Sequence, residues 1–167
     1  MKIEYNRLGE PGGKECLVCV IDVISAFTTS AYAFQQGASE IVIAKTISEA
    51  LSMKKTLENI ILIGESNSKK IDGFHYNNSV IDFLGVNFSG KTLVLKTPSG
   101  TKGLLDNKYA KKVIASSFVN AKATAKYIIE SIKNDLFEGV TFIITNNFKS
   151  SEDVALASYL CEMIFKD

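Results

Sequence analysis

Acids, hydroxyls, amides and glycines recur in this 167-residue chain wherever an apolar run gives way to a polar turn. Asp22 is followed by Ser25, Thr28 and Thr29, and Gly64 and Glu65 close another run. The stretch VLKTPSGTKGLL, residues 94–105, carries Thr97, Ser99, Gly100 and Thr101 in one turn. Ser116, Ser117 and Asn120 follow a further run, and Thr145, Asn146 and Asn147 the last one. Hydroxyls, bare backbone N–H groups and helix N-termini suit an anion, phosphate above all. Asp22 and Glu65 offer hard oxygens for a Mg²⁺ that bridges to phosphate oxygens. Such a pair can assist phosphate-ester hydrolysis by placing the metal and orienting water. At any single position a Ser or Thr is more often a helix cap, and a glycine more often steric relief. Recurrence at several run ends is what favours a shared ligand. No G-x-G-x-x-G or Walker A sequence occurs, so nucleotide binding is not indicated.

The elements that must position these residues alternate strand, turn and helix. Strands are expected at 15–24, 40–44, 59–64, 91–97, 111–116 and 139–146, the first an almost continuous apolar run typical of a strand covered on both faces. Helices are expected near 31–36, 47–57, 101–108, 119–133 and 151–165, with Thr46 or Ser48 capping the second. Residues 65–80 read as an ordered polar loop. This alternation implies an α/β fold, a three-layer α/β/α arrangement on a largely parallel or mixed central sheet of about six strands. The length suits one domain over residues 1–167. In such sheets ligands gather at the carboxyl ends of the strands.

Composition narrows the classes. Hydrophobic residues make up 46% and charged residues 22%, with a net charge of +1. That balance gives no broad electrostatic case for nucleic acid or membrane binding. No apolar run reaches the roughly 18 residues of a membrane span, and MKIEYNRLGEPGGKE lacks a signal peptide's apolar stretch, so a cytoplasmic location is expected. Cys16 and Cys19 spell C-x-x-C, but inside an apolar strand-like run, where i and i+3 face opposite sides; they read as buried structural thiols. Cys161 falls in the apolar face of the last helix. His75 is the only histidine, which excludes a multi-histidine zinc site and leaves a Ser-His-Asp triad no other base.

Four stretches in order resemble one family, the magnesium-dependent 2-phosphosulfolactate phosphatases (ComB family): residues 20–50, 64–79, 90–105 and 113–128, with 150–160 similar to its next element. The resemblance implies an α/β protein that removes phosphate from a small phosphorylated organic acid with Mg²⁺, as on the route to coenzyme M. A small-molecule substrate is implied, and a homo-oligomer is compatible with it. By position, Asp22 and Glu65 match the family's acids and would hold the metal. Asn78 and Ser79 match its N-S pair, and Thr97, Gly100 and Thr101 its T-x-N-G-T turn. Asn120 matches the amide after the fifth strand, and Glu152 and Asp153 a late acidic pair. Thr28, Ser99 and Lys102 complete the expected substrate contacts, with Lys96 or Lys102 supplying charge to phosphate.

Departures from the motifs are concentrated in cations. Ser25 and Ser66 stand where the motifs have arginine, Asn67 and Ser68 replace two glycines, His75 replaces an acid, and Ser99 and Lys102 replace asparagine and arginine. Arg7 is the single arginine. Arginine grips phosphate with a fork that lysine lacks, and one lost charge-assisted contact costs about 1.5–3 kcal/mol. The alternative reading is therefore a catalytically degenerate member that binds a small anion or a protein partner. The chain also stops soon after the last helix, where family members continue; the further elements would cover the site or a subunit contact.

Overall fold

The computed structural model describes residues 2–146 and 151–166; Asn147, one of the expected rim residues, lies outside them. Its strands are β1 (Lys2–Arg7), β2 (Leu17–Ile21), β3 (Glu40–Ile43), β4 (Ile60–Ser66), β5 (Lys69–Lys70), β6 (Thr92–Lys96), β7 (Lys112–Ser116) and β8 (Gly139–Ile144). Its helices are α1 (Ala26–Gln35), α2 (Ile47–Thr56), α3 (Gly100–Asp106), α4 (Ala121–Lys133) and α5 (Glu152–Lys166). Short 3₁₀ turns cover Val80–Phe83 and Phe118–Asn120.

The fold is α/β, as expected, but the strands form two four-stranded sheets rather than one central sheet of about six. The first runs β1-β8-β2-β7 and is parallel throughout. The second runs β3-β6-β4-β5, parallel except for the β4–β5 hairpin. Apolar periodicity reports strands but not their partners, so six runs could not be sorted into two sheets. Two strands also escaped notice. β1 alternates charged and apolar residues at a sheet edge, and β5 is two exposed lysines that pair only through their backbone.

The layering follows from alternation of side chains along buried strands. Leu17, Cys19 and Ile21 of β2 face one way, with Phe142, Ile128, Leu156 and Leu160, and are sealed by α4 and α5. Val18 and Val20 face the other way and meet Ala26 and Phe27 of α1, with Leu104 of α3 alongside. Ala33 of α1 packs on Ile63, Leu93 and Leu95 of the second sheet, together with Phe83 and Phe88. The far face of that sheet, Leu62 and Val94, lies under Ala50 of α2. Helix α1 is thus shared between the sheets, and the expected three layers become a longer stack. Truncating one of the fully buried leucines, such as Leu156, costs about 2–5 kcal/mol.

Helix α1 starts at Ala26, not near residue 31, so Thr28, Thr29 and Ser30 are helical rather than loop residues. Two of the hydroxyls bond back to preceding carbonyls, Thr28 to Val23 at 2.7 Å and Ser30 to Ala26 at 2.7 Å, while that of Thr29 is buried without a partner. Thr46 caps α2 by accepting the Glu49 N–H at 3.1 Å; Ser48 does not. All three cysteines are free thiols, Cys16 and Cys19 buried and Cys161 hydrogen-bonded to the Tyr5 hydroxyl at 2.7 Å. His75 accepts the Leu62 N–H on Nδ1 at 2.8 Å, which ties a loop to β4.

Candidate active site

The carboxyl ends of β2, β4, β6 and β8, drawn from both sheets, open on one cavity of about 260 Å³. It is lined by Asp22, Ile24, Ser25, Glu65, Asn67, Ser68, Thr97, Pro98, Ser99, Thr145, Asn146 and Asp153. The convergence of strand ends therefore survives the change from one sheet to two.

Asp22 follows β2 and is 5% exposed. Its Oδ1 accepts the Ala26 N–H at 3.1 Å, so the acid closes the turn into α1. Burial pushes its carboxyl up to about 6; the Ala26 N–H opposes this, the charge of Asp153 adds to it, the Gly100 N–H opposes it and Glu65 adds to it. Gly100 is required here: a Cβ on it would lie 2.6 Å from Asp22 Oδ2 and 2.7 Å from the Ala26 Cβ.

Glu65 is the penultimate residue of β4. Its Oε1 accepts the Asn78 side-chain amide at 2.8 Å, and the same amide donates to Ser25 Oγ at 2.8 Å. Ser25 in turn donates to the Asn78 carbonyl at 2.9 Å. Asn78 thus links the turn after β2 to the end of β4, while its own Oδ1 is buried without a partner. The β4–β5 turn is made by Asn67 and Ser68 at φ 52° and 60°, left-handed positions that glycine occupies without strain.

The turn after β6 is locked from within. Thr97 N–H donates to Thr101 Oγ1 at 3.2 Å, and Thr101 N–H donates to Thr97 Oγ1 at 3.2 Å. Thr97, Ser99 and the exposed Pro98 line the cavity from this turn.

Asp153, on the first turn of α5, is 1% exposed and matters more than its place in the motif suggested. Oδ1 accepts the Val23 N–H at 2.8 Å; Oδ2 accepts Thr145 Oγ1 at 3.2 Å and the Asn146 N–H at 3.0 Å. It ties the ends of β2 and β8 together. Its carboxyl is raised by burial, against the bond from Val23.

Several expected contacts sit behind the cavity or outside it. Gly100, Thr101 and Asn78 form its supporting layer, and the Thr28 hydroxyl is spent on Val23. The Ser79 carbonyl closes the 3₁₀ turn at 79–82. Asn120 is a capping residue: Oδ1 accepts the Ser117 N–H at 2.9 Å and Nδ2 donates to the Ala115 carbonyl at 3.1 Å, so both ends of its amide are in use. Lys102 pairs with Asp106 one turn along α3, and with Lys96 it lines a neighbouring cavity instead.

The donor set fits a hard divalent cation. Asp22 and Glu65 each hold one oxygen in a named bond and line the same cavity, Asp22 buried and Glu65 half-buried. Among the described residues no group of three or more acids, histidines or cysteines surrounds one point. A Mg²⁺ placed here would take one or two of these carboxylates and keep waters or phosphate oxygens as its other ligands.

Fold and cavity together define an α/β protein with an acid- and hydroxyl-lined site at its strand ends. The 2-phosphosulpholactate phosphatase family matches residues 6–167, and the chain belongs to that family. A Bacillus subtilis protein named a probable 2-phosphosulfolactate phosphatase is 37% identical over 84% of this chain and 60% of its own length. Proteins of the same name from Caldicellulosiruptor saccharolyticus and Clostridium tetani are 31% and 33% identical, over 98% and 99% of this chain and 68% and 70% of their own lengths. The chain therefore spans 60% of the first relative's length and about two thirds of the other two. Among the described residues no helix is long and apolar enough to cross a membrane.

Proposed function

We propose that this chain carries the catalytic site of a Mg²⁺-dependent phosphatase acting on a small phosphorylated organic acid. The observation that carries the reading is that Asp22 and Glu65, from different sheets, line one cavity with Thr97 and Ser99. Asp22 and Glu65 would hold the ion, whose chemistry is neutralisation of the phosphoryl oxygens. Ser99 supplies a neutral hydroxyl donor that orients the ester; Ser25 and Thr145 line the cavity across from it with their protons already given to Asn78 and Asp153. Thr97 and Thr101 keep the turn rigid, and Asn78 keeps the Glu65 carboxylate aimed. Rigid donors count because a misplaced reacting group loses the benefit of proximity.

A second reading is favoured by one observation: among the described residues the cavity lining contains no cation. Ser25 stands on it where the family motif has arginine. Under that reading the chain binds a small anion and does not turn it over.

Phosphate release from a panel of phosphorylated hydroxy acids and aryl phosphates, with Mg²⁺ and with chelator, separates the two. The catalytic reading expects release that stops with chelator, returns with Mg²⁺, and falls at least ~100-fold in Asp22→Asn and Glu65→Gln. Binding of phosphate without turnover of any ester in the panel would overturn it.

A further inference from the structure

A second cavity, of about 370 Å³, lies across the Thr97–Pro98 turn from the first and shares those two residues with it. Its lining is opposite in character. Lys45 follows β3, Lys96 ends β6 and Lys102 lies in the first turn of α3, with Asp106 the only acid among the lining residues. Among the described residues, Lys45 and Lys96 make no ion pair. Lys96 Nζ donates to the Thr97 carbonyl at 3.1 Å, which holds an ammonium beside the dividing turn. Cations gathered round one hollow raise its potential and draw an anion into it.

We propose that Lys45, Lys96 and Lys102 form a subsite for the non-reacting acid group of the substrate, a carboxylate or sulfonate, while the phosphoryl group enters the acid-lined cavity next door. This rests on the phosphatase reading and assigns the substrate's two ends to two cavities. Separation by charge follows from the linings. Without a bound cation the acid cavity repels anions, whereas the lysine cavity accepts them. With a cation bound, the phosphoryl group is drawn to the acid side and the second anion to the lysine side. One turn, Thr97–Pro98, then sets the spacing that the substrate must match. The lysines expected to grip phosphate serve the other end of the molecule.

Two measurements on the full chain test this. The first titrates malate and sulfoacetate, small diacids without phosphate, into metal-free protein, with wild type compared to a Lys45→Met/Lys102→Met double variant. Both lysines are exposed, and a thermal melt checks that the variant is folded. The variant is expected to bind both diacids at least ~10-fold more weakly. The second compares kcat/KM for 2-phosphoglycolate, which carries a carboxylate, with that for phenyl phosphate, which does not. The preference for phosphoglycolate is expected to fall ~10-fold, mainly through KM. Unchanged diacid binding overturns the proposal, as does an equal fall for both esters, which would assign the lysines to phosphate itself. Diacid binding that needs the lysines, in a protein that releases phosphate from no ester, leaves the subsite standing and removes the phosphatase reading.

Discussion

Asp153 Oδ1 accepts the backbone N–H of Val23 at 2.8 Å, joining residues 130 positions apart. The bond fixes the turn that begins with Asp22, and the other oxygen of the same carboxylate holds Thr145 and Asn146. One buried side chain therefore pins together the turns that follow the paired strands β2 and β8.

Replacing Asp153 by Asn turns one accepting oxygen into a donor that faces an N–H or a hydroxyl. Leaving a buried donor unsatisfied costs about 1–3 kcal/mol. Asp153→Asn is expected to lower the urea midpoint accordingly and to weaken phosphate release, because the turn carrying Asp22 is no longer held. Urea unfolding read beside the phosphatase assay checks both; an unchanged midpoint would refute the role given to this carboxylate.

Asp22 trades stability for charge. Its carboxyl is raised to about 6 in the fold, above the ordinary Asp value near 3.9 of an unfolded chain. Such a group binds protons more readily when folded. Its stabilising contribution is complete below about 3.9 and disappears as pH rises through about 6. At pH 7 the ionised, metal-free form is destabilised by at most about 3 kcal/mol. Asp22→Asn, which keeps an acceptor for the Ala26 N–H, is expected to be more stable than wild type at pH 7 without metal. That advantage should shrink as pH falls from 6 to 4. Urea melts of the two proteins at several pH values in chelator test the sign.

Gly100 leaves the space that Asp22 occupies. A methyl group there would sit 2.6 Å from Asp22 Oδ2 and 2.7 Å from the Ala26 Cβ, both inside contact distance. Overpacking of this kind costs about 1–3 kcal/mol. Gly100→Ala is expected to unfold at lower denaturant and to lose activity beyond what its stability explains, because Asp22 must move. Activity measured well below the unfolding transition separates the two effects.

The elements were legible because their signals are local. Six strands show as apolar runs, α2 shows its Thr46 cap, and the hydroxyl-rich turns mark strand ends. The α/β class followed from those signals, and the family from the resemblance of four motif stretches in order along the chain. Pairing is not local. Whether β6 lies beside β4 or β2 depends on faces that α1 covers on both sides, and β1 and β5 carry no apolar run to announce them.

The site divides in the same way. Residue types at the turns named Asp22, Glu65 and Thr97 from sequence, because acids and hydroxyls recur at several strand ends at once. Only the tertiary structure put Asn120 to work as a cap, turned Thr28 back on its own helix, sent Lys96 and Lys102 to a separate cavity and brought Asp153 to Val23. The Thr28 and Asn120 bonds are local choices that residue type alone leaves open, whereas the lysine cavity and the Asp153–Val23 bond form only when distant segments pack.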